Sequence, residues 1–173
     1  MQTKCLWLLG LSGAGKTTLG EQLIAELNSQ NKKCILLDGD LLRKGLNNNL
    51  GFSTEDRLEN VRRTAEVAKL FLNEGYWVVV AMITPLEIMR TENRNILNMA
   101  YTEIFIDTSL ELCQKRDPKG LYKKVLQNKI TNFTGIDSPF EIPASPNLIV
   151  KTFDRSIREC VDQIKAFIFS DKL

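Results

Sequence analysis

The chain has 173 residues, 43% of them hydrophobic, and a formal net charge of +2. That length supports one sizeable core, and so one domain; the small charge, with no block of like sign, argues against a nucleic-acid polymer or a membrane surface as partner. With no histidine, His-based catalytic triads and the commonest zinc ligand are excluded, so proton transfer must rest on carboxylates, lysines or solvent.

In chain order, the apolar run Cys5–Leu9 reads as a first strand, too short for a signal-peptide core or a spanning helix, so a cytoplasmic protein is expected. A helix over 17–27 follows, with Leu19, Leu23, Ile24 and Leu27 on one face. A second strand is predicted at 34–37. Ser53 with Asp56 forms a variant capping box opening an amphipathic helix that Gly75 closes. Strand Trp77–Ala81 comes next, then a helix from Pro85 to about Met99, strands at 103–106 and 148–150, and a last helix over 156–169. Strands alternating with helices predict an α/β fold, a doubly wound parallel sheet of about five strands flanked by helices. The four cysteines, Cys5, Cys34, Cys113 and Cys160, are far apart in apolar segments and read as reduced, small hydrophobes. The stretch 116–146, rich in Lys, Gly and Pro with little periodicity, is expected to be a lid.

Between the first strand and helix, Gly10-Leu11-Ser12-Gly13-Ala14-Gly15-Lys16-Thr17 matches the Walker A phosphate-binding pattern in full, in the strand–loop–helix context it requires. Backbone N–H groups from about Gly13 through Ala14 and Gly15 to Thr17, with Thr18 just beyond, can point at nucleotide phosphates at the positive end of a helix. Lys16 adds a mobile charge that follows the transferred phosphoryl group, and the Thr17 hydroxyl suits a Mg2+ ion bridging ATP's phosphate oxygens. A guanine-reading NKxD element is missing, which disfavours a GTP-dependent switch. Asp38-Gly39-Asp40 ends the second strand, where such sheets place their ligand loops. Its two carboxylates can divide two tasks, Asp38 facing the metal and Asp40 orienting or deprotonating an acceptor hydroxyl. A plain solvated Asp-Gly turn is the bland alternative.

The series 38–46, Leu50-Gly51-Phe52-Ser53, Glu55-Asp56-Arg57 with Asn60 and Arg63, 116–122 and Phe133-Thr134-Gly135-Ile136-Asp137 resembles the adenylylsulfate kinases in order and spacing. The resemblance covers nearly the whole chain. It implies a P-loop kinase fold, Mg2+ with ATP as donor, transfer to the 3′-hydroxyl of adenosine 5′-phosphosulfate, and a homodimer. Arg57 and Asn60, three apart on a helix, can face one ligand, and with Arg43 they can hold its anionic end. By resemblance, Phe52 and Phe133 sandwich the acceptor's base, a contact worth about 1–3 kcal/mol per base. Lys119, Ile83 and Thr84 match further acceptor contacts, and Arg116 is expected to reach ATP phosphates from the lid.

The chain departs from the family pattern on what reads as the acceptor side or at its edges. Thr84-Pro85 replaces a usual serine-proline pair, whose serine has been proposed as a phosphorylated intermediate; direct in-line transfer is the simpler expectation. Leu86, Glu87 and Met89 stand where an aromatic, a basic and an acidic residue are usual, and Leu41 and Lys44 replace asparagine and histidine. The N-terminal extension of many members is also expected to be lacking. These changes keep open a second acceptor for the same chemistry, cytidine diphosphoramidate in capsule modification. A non-catalytic ATP-binding module would require loss of Lys16, Thr17 or Asp40, and a sugar-acid kinase does not predict the Phe52/Phe133 pair.

Overall fold

A computed structural model describes residues 3–170. Five strands, β1 (Cys5–Leu9), β2 (Cys34–Asp38), β3 (Trp77–Ala81), β4 (Tyr101–Asp107) and β5 (Leu148–Lys151), form one fully parallel sheet in the order β2-β3-β1-β4-β5. The strand alternation divides the core in two. Leu6 and Leu8 of β1 point to one face with Val79, Ile104 and Val150, beneath helices α1 (Lys16–Ser29) and α7 (Ile157–Ile168). Cys5, Trp7 and Leu9 point to the other, with Val78 and Val80, beneath α3 (Thr54–Asn73) and α4 (Glu87–Leu97). Every residue of β1 is fully buried, as expected of the central strand of a sheet covered on both faces. A side chain so enclosed contributes about 1.5–3 kcal/mol by leaving water. Among the described residues no helix is long and apolar enough to cross a membrane.

Helix ends follow local chemistry. Ser53 caps α3 by accepting from Asp56 N at 3.1 Å. Ser156 and Glu159 cap α7 reciprocally, a box not foreseen although the helix was predicted to open at 156. Three short helices were also missed: α2 (Gly39–Lys44), α5 (Leu110–Arg116) and α6 (Leu121–Leu126). Each has six or seven residues, too few for periodicity to separate helix from loop. The stretch 116–146 is correspondingly less loose than its composition suggests: Tyr122 and Phe133 are buried against the α1/α7 core and meet edge to face at 4.9 Å.

The chain runs from β1 outward to β2, returns through β3 beside β1, and only then crosses to β4. This reversal places a crevice at the carboxyl end of β1, flanked by the ends of β2 and β3. The loop after β1 and the Asp38 turn after β2 both open into it.

Candidate active site

Gly10 leaves β1 so close to β4 that a Cβ on it would lie 2.6 Å from the Ile106 carbonyl oxygen. Only glycine is accommodated there without moving a central strand. At the other end of the loop Gly15 takes a left-handed conformation, φ 105, as the N-cap of α1. No side chain caps that helix, so its first N–H groups, and the positive end of its dipole, are left for an anion. The loop's carbonyls are held from outside: Thr108 Oγ1 and Arg116 Nη1 donate to Ala14 O, and the Tyr122 hydroxyl to Ser12 O at 3.0 Å.

Lys16 is buried and donates to Gly10 O at 3.0 Å and Leu11 O at 2.7 Å. An ammonium has three donors, so one remains for a phosphoryl oxygen. Burial lowers its pKa from the usual 10.5 to about 8. The Thr17 hydroxyl donates to Asp38 Oδ2 at 2.7 Å. The other oxygen of Asp38 accepts from Asp40 N and Leu41 N, capping α2. Asp38 is thus locked between a helix cap and the phosphate loop. A hydroxyl beside a carboxylate at the mouth of a phosphate-binding loop is a hard oxygen donor set that fits Mg2+.

Asp40 is one residue further on, in the first turn of α2, with its carboxylate exposed and ion-paired to Lys119 from the opposite wall. Arg43, on the last turn of α2, donates to Leu50 O and Gly51 O and lies 4.5 Å from the centre of the Phe52 ring. Arg57, on α3, lies 5.7 Å from the same ring. It donates to Phe52 O at 2.9 Å, to Thr134 Oγ1 at 2.7 Å and to Asn132 O, tying α3 to the segment that carries Phe133. Burial, then the neighbouring Arg43 charge, pushes the Arg57 pKa down from its ordinary value. A guanidinium stays protonated regardless, so two half-buried cations share one corner, an arrangement that favours an anion. Asn60 is buried, its amide oxygen accepting from Asn47 Nδ2 at 2.8 Å.

Residues 12–18 with Asp38, Asp40, Arg43, Phe52, Arg57 and Asn60 line one cavity of about 880 Å³. Every residue given a catalytic or binding role from the sequence is among its walls, from Gly13 to Thr18 at one end to Phe52, Arg57 and Phe133 at the other, with Asp38, Asp40, Ile83, Thr84 and Lys119 between. Two of them sit differently from expectation. Arg116 ends α5 and is bonded to Ala14 O and to the hydroxyl and carbonyl of Thr152, bracing the phosphate loop rather than extending from a lid. Phe133 is 9% exposed and packed on Tyr122, whereas Phe52 is 58% exposed; as arranged here, one ring is open to a base and the other belongs partly to the core.

The floor carries the most strained residue of the cavity. Thr84 has φ 45, rare for a β-branched residue, and is 1% exposed. Such a conformation costs about 1–3 kcal/mol and persists only where surroundings over-determine it. Here Trp7 Nε1 donates to Thr84 Oγ1 at 2.8 Å and Arg90 Nη1 donates to its carbonyl at 3.3 Å. Sequence reading missed both Trp7 and Arg90. Trp7 looks like any core residue of a strand, and Arg90 like a solvent-facing residue of a helix. The hydroxyl of Thr84, held by an indole and sealed from solvent, is suited to bracing the floor.

Residues 2–151 match the family description "Adenylylsulphate kinase". Among curated relatives, the adenylyl-sulfate kinase of Clostridium acetobutylicum is 45% identical over 97% of this chain and 84% of its own. That of Pseudomonas aeruginosa is 48% identical over 94% and 84%. Among solved structures, the Mycobacterium tuberculosis APS kinase CysC, in complex with AMPPNP and APS, is 42% identical, with a TM-score of 0.93 over 96% of this chain and 98% of that one. The chain belongs to the adenylylsulfate kinase family. Within that family its departures can now be placed. None of Leu41, Lys44, Leu86, Glu87 and Met89 lines the cavity. Leu41 is exposed, Met89 is in the core, and Glu87 is bonded to Arg90 and Arg94. Thr84, the remaining departure, does line the cavity, and the other five lie at the edges of the acceptor side. They are neighbours of site residues in sequence, with side chains directed elsewhere, and give no ground for a cytidine acceptor.

Proposed function

We propose that this adenylylsulfate kinase transfers the γ-phosphoryl group of ATP to the 3′-hydroxyl of adenosine 5′-phosphosulfate, giving 3′-phosphoadenosine 5′-phosphosulfate. The observation that carries this reading is one continuous cavity with a phosphate loop at one end and an exposed ring beside two guanidiniums at the other. On this reading the N–H groups opening α1 and the Lys16 ammonium bind the β- and γ-phosphates. Thr17 and Asp38 would hold Mg2+, which when bound would neutralise phosphate charge. Phe52 stacks on the acceptor's base, with Phe133 behind it, and Arg43, Arg57 and Asn60 take the anionic phosphosulfate. Asp40 receives the proton of the 3′-hydroxyl while Lys119, paired to it, adds a cation beside the transferring group. Positioning and charge neutralisation suffice for this reaction, so no phosphorylated Thr84 is required.

Two further features belong to the same reading. The protein is a single domain in which part of the lid stretch 116–146 closes over both nucleotides; Arg57 and Lys119 hold that stretch by polar contacts that a ligand can replace. It acts as a homodimer, which light scattering measures.

The deciding experiment is ADP release from Mg2+ and ATP with adenosine 5′-phosphosulfate or cytidine diphosphoramidate as acceptor. Turnover is expected with the phosphosulfate. Turnover with the cytidine compound alone would overturn the reading.

A further inference from the structure

Outside the cavity, the largest cluster of buried charge surrounds Arg90. This guanidinium is 1% exposed and lies on α4, behind the floor. Its Nε donates to Glu87 at 2.8 Å and lies 3.9 Å from the buried Glu103 carboxylate. Its Nη1 donates to two backbone carbonyls, Thr84 O at 3.3 Å and Glu141 O at 2.9 Å. The first belongs to the floor of the cavity. The second belongs to the strap leaving the loop that carries Phe133.

The strap is fastened to the same place by three other contacts. Glu141 N donates to Pro85 O at 2.8 Å, Glu87 N donates to the Glu141 carboxylate, and the Phe140 ring stacks on Phe105 with centroids 6.0 Å apart. So residues 84–87 and 140–141 form one stitched unit with Arg90 at its centre. Charge neutralisation by Glu87 and Glu103 lets the guanidinium stay buried, while its planar fork serves two carbonyls at once, which a lysine's point charge does less well.

We infer that Arg90 is a positioning residue for the phosphoryl acceptor, fixing the spacing between the Thr84 floor and the strap behind Phe133 without touching substrate. A consequence is that the moving part of the 116–146 stretch ends before residue 140. The inference rests on the proposed acceptor site, since floor and strap matter together only if one ligand spans them.

Steady-state kinetics on Arg90→Lys test it, with Arg94→Gln as control. Arg94 bonds to Glu87 and Glu103 in the same cluster but reaches neither carbonyl. Arg90→Lys should raise the KM for adenosine 5′-phosphosulfate on the order of tenfold or more while the KM for ATP stays within about twofold, as misplacement of one substrate predicts. Arg94→Gln should leave both within about twofold, although both variants lower the melting temperature. Equal effects of the two variants on the acceptor KM, or an equal rise in the KM for ATP, would overturn the inference. Should Arg90→Lys not fold, Glu141→Ala loosens the strap at an exposed position; an unchanged acceptor KM there counts against the idea and a several-fold rise supports it. Failure of the acceptor reading itself is seen separately, as wild-type protein that does not turn over the phosphosulfate.

Discussion

The two ends of the cavity are built in opposite ways. At the donor end the reactive groups find their partners nearby: Lys16 bonds to carbonyls five and six residues back, and Thr17 to an aspartate 21 residues on. At the acceptor end Arg57 reaches residues 75 and 77 positions away, Lys119 pairs with Asp40 across 79, and Trp7 braces Thr84 across 77. The reactive groups of the phosphate loop are thus set by near neighbours, while Thr108, Arg116 and Tyr122 brace its carbonyls from 94 to 110 residues away. The acceptor wall exists only when four separate segments have docked, and two of its guanidiniums are already bonded to the loops that the substrate must share. The donor end should therefore respond to substitution mainly through the rate of transfer, and the acceptor end mainly through affinity and loop order.

The largest effect is expected from the charge that follows the phosphoryl group. Lys16→Ala should lower kcat by about a thousandfold or more, and Asp40→Asn by about a hundredfold or more, with melting curves close to wild type. A folded Asp40→Asn protein with near-normal kcat would remove that residue from proton transfer and break the division between the two ends. Arg57→Ala comes next. It should raise the acceptor KM by about 10- to 100-fold, as loss of charge-assisted hydrogen bonds does, and make 130–138 more sensitive to protease, with the KM for ATP little changed.

A smaller effect sharpens the donor side. Lys16 is held at about 8 by burial, below the ordinary 10.5. Phosphates beside it favour the ammonium and raise the value again. Below pH 8 the lysine is charged in both free and bound protein. From 8 toward 10.5 only the complex keeps the proton, so ATP affinity should fall up to about tenfold per pH unit and binding should take up a proton. Calorimetry in two buffers of different ionisation enthalpy measures that uptake, and none at about pH 9 would refute it. In the free protein the sign is opposite. The unfolded chain binds the extra proton in this window, so Lys16's contribution to stability rises with pH there. The smallest effect is predicted for Leu41→Asn and Lys44→His, which restore residues usual in the family: as their side chains lie outside the cavity, both KM values should stay within about twofold.

Much of this was legible in the residues alone, and the pattern of what was not follows the same division. The phosphate loop, the α/β class and the five strands came from contiguous patterns, because a strand, a glycine turn and a helix start are local preferences. Phe133 was assigned by resemblance to a base-stacking pair, and it lines the cavity with its ring also packed on Tyr122; nothing in its own stretch signals an aromatic neighbour eleven residues earlier. Glu87 and Met89 were read, against the family pattern, as departures on the acceptor side or at its edges. A turn at residue 84 sends Met89 into the core beneath β1 and Glu87 to the arginines of α4. Arg90 carried no signal at all, since a charged residue on a helix is ordinarily solvated.

Chemistry and fold class are thus written in short stretches of this chain, where a few bonds join near neighbours and burial follows a period of two or four residues. Which residues line the cavity and which brace its walls was settled by docking. Arg57, Thr84, Arg90 and Glu141 take their roles from partners that only the packed sheet brings within hydrogen-bonding distance.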